Sequence, residues 1–294
     1  MVSDDIDGIL AVMAQRRDSV EVQEYACQAL GHLAAANDAN QRAIAEKHGI
    51  DVILIAMQQY PVSVGVQQWG CYALGSVALN NAANQLTIAE KHGIDVILAA
   101  MQRYTNSTEV QRYGCQALAQ VAVNNAANQR TIAEKRGIDI ILTAMKRYLD
   151  SKEVQLCGCA ALANVTATND ANQGTTIAER YGIDIILTAM LQHSDSAEVQ
   201  QYGCQALGHV AAYNDANQRT IAEKGGIEAV FRAMTQHSHH EGVQEQGCSM
   251  MLGCMVYCES ARPAIREGKA VTDAALSNFP NNDCIRWYHG EIQI

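Results

Sequence analysis

Cysteine and histidine are two residue types in this chain that can act as nucleophiles or metal ligands. The 294-residue chain has ten cysteines. Six of them recur at one position of a periodic pattern: Cys27, Cys71, Cys115, Cys159, Cys204 and Cys248. Each lies near the apolar edge of a predicted helix, which indicates a buried structural thiol. The start of the chain, MVSDDIDGIL, has neither the basic nor the apolar part of a signal peptide. We therefore expect a cytoplasmic protein with reduced thiols.

The other candidates for metal or acid–base chemistry lack the partners that such chemistry needs. Cys254 and Cys258 are one helical turn apart and follow a loop with three histidines, but the spacing is not that of a known metal site. His32 and His209 share a repeat position without a nucleophile or a carboxylate beside them. No phosphate loop, H-E-x-x-H or G-x-S-x-G motif occurs. We expect no catalysis, no cofactor and no bound metal.

The six periodic cysteines belong to an internal repeat of 44 residues. Glycine keeps the same step at 49, 93, 137, 182 and 226, and Val-Gln pairs keep it from 22 to 243. Each series has a single step of 45, where Gly174 is inserted. The repeat edges lie near residues 37, 81, 125, 169 and 214. We expect residues 1–294 to form one repeat domain with a degenerate C-terminal cap over 258–294, because a repeat array needs atypical end units.

Each repeat is predicted to contain three helices. An asparagine at 37, 81, 125, 169 or 214 is the candidate N-cap of a short first helix, and a glycine such as Gly49 would end that helix as a left-handed residue. A second helix follows, as in IDVILIAMQQY. Before the third helix, a polar residue precedes a glutamate by three positions, which resembles a capping box; these residues are Asp18, Asn106, Asp150 and Asp195.

The repeat resembles the armadillo repeat. The matching elements are NQ..IAE..GID.IL.AM followed by EVQ..GC.AL..VA, and they cover residues 6 to about 257. HEAT repeats are the nearest alternative, but they have two helices and lack the short helix that a glycine ends. The resemblance implies an all-α fold. It would be a right-handed superhelical α-solenoid with a concave groove that is lined by the third helices and binds an extended peptide.

Armadillo grooves usually carry a Trp and an Asn four residues apart on each third helix, and this chain departs from that pattern. The Trp positions hold Gln28, Tyr72, Gln116, Ala160, Gln205 and Ser249. The Asn positions hold His32, Ser76, Gln120, Asn164, His209 and Gly253, so only Asn164 matches. A mostly aromatic row stands one turn earlier: Tyr25, Trp69, Tyr113, Cys157, Tyr202 and Gln246.

These departures predict a groove of rings and amides. Rings pack on aliphatic stems or cations, and amides bond a peptide backbone in both directions. The alternative is that the rings pack against the next repeat. The candidate partner-binding residues are Tyr25, Gln28, His32, Trp69, Tyr72, Ser76, Tyr113, Gln116, Gln120, Asn164, Tyr202, Gln205 and His209.

The net charge of the chain limits the classes of partner that we expect. The formal net charge is −10 and no basic stripe occurs, so we expect no nucleic acid, and no apolar run is long enough for membrane insertion. We expect a non-enzymatic protein- or peptide-binding module whose partner has basic character. The alternative is a structural scaffold that self-associates through its ends. The chain begins in a second helix, which also fits a fragment of a longer protein, and the near-identical repeats fit recent duplication or consensus engineering equally.

Overall fold

The computed structural model describes residues 2–167, 177, 181–212, 214–257, 265–266 and 268–292. These ranges contain eighteen α-helices and no strand, so the all-α prediction is confirmed. The chain divides into two compact units, residues 1–144 and 145–294. The predicted single solenoid domain over residues 1–294 stays a prediction.

The helices of unit 1 follow the predicted three-helix pattern. They are α1 (Val2–Gln15), α2 (Val20–Ala34), α3 (Asp38–Glu46), α4 (Gly49–Gln59), α5 (Val64–Ala78), α6 (Ala82–Glu90), α7 (Gly93–Arg103), α8 (Thr108–Ala122), α9 (Ala126–Glu134) and α10 (Gly137–Arg147), within which the division between the units falls. We call α3, α6 and α9 the short helices, α1, α4, α7 and α10 the second helices, and α2, α5 and α8 the third helices.

Unit 2 continues the pattern. Its described helices are α11 (Lys152–Thr166), α12 (Gly182–Gln192), α13 (Ala197–Ala211), α14 (Asp215–Glu223), α15 (Gly226–Gln236), α16 (Glu241–Tyr257), α17 (Lys269–Asn278) and α18 (Asp283–Ile292). Here α11, α13 and α16 are third helices. The last two helices pack on α15 and α16, and Tyr288 of α18 is fully buried. Part of the predicted cap, with Cys258, lies outside the described residues, as do Asn169 and Gly174.

The short helices begin where the sequence predicts. Asn37 Oδ1 accepts the backbone N–H of Asn40 at 3.0 Å, and Asn81, Asn125 and Asn214 cap their helices in the same way. An N-cap oxygen pairs one of the backbone donors that a helix leaves free at its start. The asparagine caps that fall within the described residues are confirmed.

The predicted caps of the third helices are wrong by one residue. The cap of α2 is Ser19, whose Oγ accepts from Val22 N, and the prediction had placed it at Asp18. In the other third helices for which a cap is described, the cap is Ser63, Ser107, Ser151 or Ser196. The predicted caps Asn106, Asp150 and Asp195 each lie one residue before the serine. Glu21 is then one position too early for a capping box, and it accepts from Ser19 Oγ at 3.1 Å instead.

The corner between the short and second helices also differs from the prediction. The left-handed residue is the one before the glycine: His48 has φ 59° and Gly225 has φ 75°. His92, Arg136 and Tyr181 occupy the same place in the other repeats. Gly49 itself begins α4, so its lack of a side chain serves close packing.

The periodic cysteines lie in the centre of the core. The sequence had predicted a position near the edge of the apolar face of each third helix. All six have no exposed surface. Burial raises the pKa of the thiols of Cys71 and Cys159, among others, to about 12. The prediction of buried structural thiols is confirmed.

Buried amides join the helices of each repeat. Gln67 Nε2 of α5 donates to the carbonyl oxygens of Met57 at 2.8 Å and of Tyr60 at 3.0 Å, which lie at the end of α4. The glutamines of the five remaining Val-Gln pairs make the two equivalent bonds in their own repeats: Gln23, Gln111, Gln155, Gln200 and Gln244. The repeated Val-Gln therefore fixes the loop between the second and third helices.

Successive repeats within a unit are joined by a second set of bonds. Asn84 Nδ2 donates to the carbonyl oxygen of Gln41 in the previous repeat at 3.2 Å. Tyr60 Oη donates to Arg17 O at 2.6 Å, and in unit 2 the ring of His237 bonds Ser194 O at 2.8 Å. These contacts join the short helices of neighbouring repeats and the loops that follow their second helices. No helix in the described ranges is long and apolar enough to cross a membrane.

Candidate functional site

The third helices of unit 1 approach each other closely. A β-carbon on Gly31 of α2 would lie 2.5 Å from the ring of Tyr72 and 3.2 Å from the Cα of Ala73, both on α5. A β-carbon on Gly75 of α5 would lie 3.1 Å from the Cα of Ala117 on α8. Because the backbones are this close, side chains on the outer side of the three helices form one continuous surface.

Four rings meet on this surface, and we call His32, Trp69, Tyr72 and Tyr113 the ring cluster. The centroid of Tyr72 lies 5.2 Å from that of His32, 5.8 Å from that of Trp69 and 5.0 Å from that of Tyr113. These distances and the tilted geometries are those of favourable aromatic pairs. Tyr72 Oη also lies 3.2 Å from His32 Nδ1. The structure therefore brings four of the predicted residues into one cluster, in which Tyr72 contacts each of the other three.

The predicted residues of unit 1 differ in exposure. Tyr25 is 69% exposed and His32 is also exposed. Gln28, Trp69, Tyr72, Gln116 and Gln120 are half-buried. Ser76 is 3% and Tyr113 is 7% exposed, so these two supply little surface to a ligand. Ring exposure and ring packing against the neighbouring repeat both occur, at different positions of the same row.

Polar groups beside the ring cluster are free to bond a ligand. Trp69 Nε1 and the side-chain amides of Gln28, Gln116 and Gln120 have no hydrogen-bond partner within the part of the chain that the structure describes. Each of these side chains is half-buried. A half-buried donor has lost part of its hydration, so a hydrogen bond to a ligand replaces the bonds that water would otherwise make.

The sequence did not single out Arg112 or Glu24. The Arg112 guanidinium lies 4.6 Å from the centroid of the Tyr113 ring, and its Nη1 is 3.4 Å from Glu109 Oε2. Arg112 lies four residues before Gln116, and Glu24 lies four residues before Gln28, so both belong to the same stripes as predicted residues. Extending each stripe by one turn would have found them.

The predicted residues of unit 2 lie on α11 and α13. Asn164, Tyr202, Gln205 and His209 are half-buried. His209 Nδ1 donates to the carbonyl oxygen of Ala163 at 2.8 Å, and burial lowers the pKa of His209, with the bond to Ala163 opposing that shift. His32 has the equivalent position in unit 1 but contacts rings, so the shared repeat position does not give the two histidines a shared environment.

Among the described residues, no three His, Cys, Asp or Glu side chains come together as metal ligands. Rings, amides and one guanidinium can bind a ligand by packing, hydrogen bonds and charge.

Comparison with known families agrees with the helix pattern. The family model described as LRRK2 ARM repeat matches residues 3–182, which is more than half of the chain. The chain belongs to the armadillo-repeat family. In this armadillo chain, the third helices α2, α5 and α8 carry the ring cluster.

Solved structures show the same armadillo fold. An engineered protein from the Northeast Structural Genomics Consortium aligns with a TM-score of 0.80 and 22% identity, over 98% of this chain and 67% of that one. A second engineered protein from the same consortium gives 0.73 and 20%, over 86% and 97%. A designed armadillo repeat protein in complex with the peptide (KR)4 gives 0.68 and 16%, over 84% and 98%. At these identities the likeness shows the fold alone. No curated protein matches the sequence.

Proposed function

We propose that this armadillo chain is a non-enzymatic protein-binding module whose third helices bind an extended peptide segment of a partner. The ring cluster of unit 1 is the observation that carries the proposal. Trp69 and Tyr72 are half-exposed in the middle of a surface whose amides have no partner in the described chain.

The arrangement has the organisation of a binding hot spot. Affinity at protein interfaces is concentrated in central aromatic and arginine side chains that become desolvated, with polar groups around them. Trp69 and Tyr72 form such a centre. Gln28 on α2 and Gln116 on α8 flank them and can donate to and accept from a peptide backbone.

Unit 2 offers a more polar surface. Tyr202 and Gln205 are half-buried on α13, while His209 is committed to the carbonyl of Ala163. In the described residues, unit 2 has no ring contact comparable with the ring cluster of unit 1. We expect unit 1 to supply most of the affinity, and Asn164, Tyr202 and Gln205 to contribute secondary contacts.

The partner class rests on charge and on relatives. The formal charge of −10 favours a partner with basic residues, and a designed armadillo relative forms a complex with (KR)4. The buried thiols of Cys27, Cys71, Cys159, Cys204 and Cys248 form no disulfide, which fits a reducing compartment, so we place the function in the cytoplasm.

The test is a triple substitution in the ring cluster and its flank, Trp69→Ala with Tyr72→Ala and Gln116→Ala. We expect partner capture from a cell lysate, read by mass spectrometry, to be lost. The matched control replaces three exposed side chains of unit 1 that lie outside its third helices with alanine: Ile55, Val62 and Leu86. Circular dichroism should show both variants folded. Capture of the same proteins by the folded ring-cluster variant would overturn the proposal.

Self-association is the second candidate function. Val22, Ala29 and Leu33 of α2 are half-buried, whereas the equivalent Val66, Ala73 and Val77 of α5 have no exposed surface. Another helix of similar chemistry could cover the α2 residues. Light scattering over a range of concentrations decides it, since a molar mass that stays at that of one chain, 31.8 kDa, would rule out self-association.

A further inference from the structure

The ring cluster is placed between helices that carry opposite charges. The central helix, α5, has no charged residue in its sequence VGVQQWGCYALGSVA. On one side, α2 carries Glu21 and Glu24. On the other, α8 carries Arg112, the one cation among the residues of these three third helices, with Glu109 one turn before it. Unit 1 therefore has an acidic side, an uncharged aromatic centre and a side with a guanidinium.

Arg112 is held in place but keeps free donors. Its guanidinium carbon lies 4.6 Å from the centroid of the Tyr113 ring, a cation–π contact that restrains the group. Its one recorded polar contact is through Nη1 to Glu109 at 3.4 Å, a long contact for a charge-assisted bond. Nε and Nη2 have no partner in the described part of the chain. A guanidinium presented in this way suits the two oxygens of a carboxylate.

Glu24 is the counterpart on the other side. Its carboxylate lies over the first turn of α5, since a β-carbon on Gly65 would be 2.0 Å from Glu24 Oε2. Four other third helices have glutamate at the position of Gly65, at 21, 109, 153 and 198. A glutamate at 65 would set two carboxylates together, so Gly65 leaves room for Glu24 alone. Glu24 has no ion pair or hydrogen bond with another described residue.

We propose, building on the peptide-binding function above, that unit 1 selects a segment with charges of opposite sign at its two ends. A lysine or arginine of the partner lies at Glu24, an apolar or aromatic side chain packs on Trp69 and Tyr72, and an aspartate or glutamate binds Arg112. A uniformly basic segment is disfavoured because its second cation would face Arg112, and like charges at an interface discriminate against a partner.

The spacing of the helices sets the spacing of the charges. Packed helices lie about 8–10 Å apart, so α2 and α8, on either side of α5, are roughly 16–20 Å apart. An extended chain advances about 3.3 Å per residue. The two charged residues of the partner are then separated by about five or six positions.

The test uses a panel of synthetic peptides with the chain substituted Trp287→Phe, which leaves Trp69 as the one tryptophan, since the chain has two. Each peptide is alanine with one central leucine and two charged residues, as Lys–Glu in either order, Lys–Lys or Glu–Glu, at separations of three to eight. Titrations followed by Trp69 fluorescence should show Lys–Glu peptides binding at least about tenfold tighter than either uniform pair, with the optimum at a separation of five or six.

Charge exchange in the protein separates this inference from the proposed function. Arg112→Glu should move the preference to Lys–Lys peptides, and adding Glu24→Lys should move it to peptides with one charge of each sign in the reverse order along the peptide. The Trp69, Tyr72 and Gln116 alanine variant is assayed by anisotropy of labelled peptides. If all three peptide classes bind the protein with equal affinity and this variant loses binding, charge selection is overturned and the binding function stands. Failure of every peptide to bind, while lysate capture through the ring cluster persists, would also overturn it.

Discussion

A β-carbon on Gly49 would lie 2.5 Å from Cγ2 of Ile44 and 2.8 Å from its carbonyl oxygen. Ile44 is fully buried on α3, and Gly49 is the first residue of α4. The same close approach recurs at Gly93, Gly137, Gly182 and Gly226. Because one of the opposing atoms belongs to the backbone, a side chain at this glycine cannot be accommodated by a change of rotamer.

The corner gives a paired prediction. Gly49→Ala should lower the free energy of unfolding by about 1–3 kcal/mol, because overpacking forces the short and second helices apart. His48→Gly should raise it by up to about 1 kcal/mol, since a left-handed residue with a β-carbon is strained. Urea unfolding measures both. Gly225 already occupies the position of His48 in another repeat. Two substitutions with effects of the same sign would contradict this account of the corner.

The bonds between repeats should differ in strength according to burial. Asn84 is 3% exposed and donates to Gln41 O and Val77 O, so Asn84→Leu should cost about 1–3 kcal/mol by removing two buried hydrogen bonds. Lys91 and Asp51 are 2.5 Å apart with side chains 38% and 31% exposed, and a double-mutant cycle should give about 0–1 kcal/mol of coupling.

Ionic strength provides the control for that comparison. The coupling between Lys91 and Asp51 should decrease as salt is raised, because solvent-exposed charges are screened, while the effect of Asn84→Leu should not change. A larger loss from removing Lys91 than from removing Asn84 would show that the ion pairs, and not the buried amides, set the register of the repeats.

Much of the fold could be predicted because the repeat presents each signal several times. Asn37 and its equivalents are N-caps at a fixed distance before an apolar pattern, and the structure confirms those it describes. The third-helix caps were missed because Asp18 and Ser19 are both good capping residues. Only the backbone shows that Ser19 is the residue with extended φ and ψ.

The candidate site was less predictable than the fold. A helical wheel places Tyr72, Trp69 and Tyr113 on one side of their helices, but depth depends on the neighbouring helix. Tyr113 is 7% and Tyr25 is 69% exposed at the same repeat position, since Trp69 and Tyr72 contact Tyr113. The role of Arg112 depends on a stacking geometry between two adjacent residues that a wheel does not show.

Stability should depend on pH through His209. Burial lowers the pKa of this histidine, whereas in the unfolded chain it titrates near its usual value of about 6.5. Between these two pKa values the unfolded state binds more protons, so the free energy of unfolding rises with pH across the window below about 6.5. Acidification from pH 7 to 5 should therefore destabilise the protein.

Substitution isolates this contribution. His209→Gln should flatten the pH dependence below about 6.5, because the titrating group is gone while an amide can still donate to Ala163 O. Gln205→Ala, on the same helix, removes no titrating group and should keep the wild-type profile. Urea unfolding at half-unit steps of pH measures the slopes. A wild-type slope in His209→Gln would show that other groups cause the acid sensitivity.

Thiol reactivity should divide the cysteines by burial. The Cys71 thiol is fully buried, and burial raises its pKa to about 12, so at pH 8 it has almost no thiolate and no access to a reagent. Cys157, also on a third helix, is half-buried. In the native protein, iodoacetamide followed by peptide mass spectrometry should find Cys157 modified and Cys71 intact. In urea both should react, which controls for intrinsic reactivity. Labelling of Cys71 at the native rate of Cys157 would mean that the α2 and α5 helices separate far more often than their packing implies.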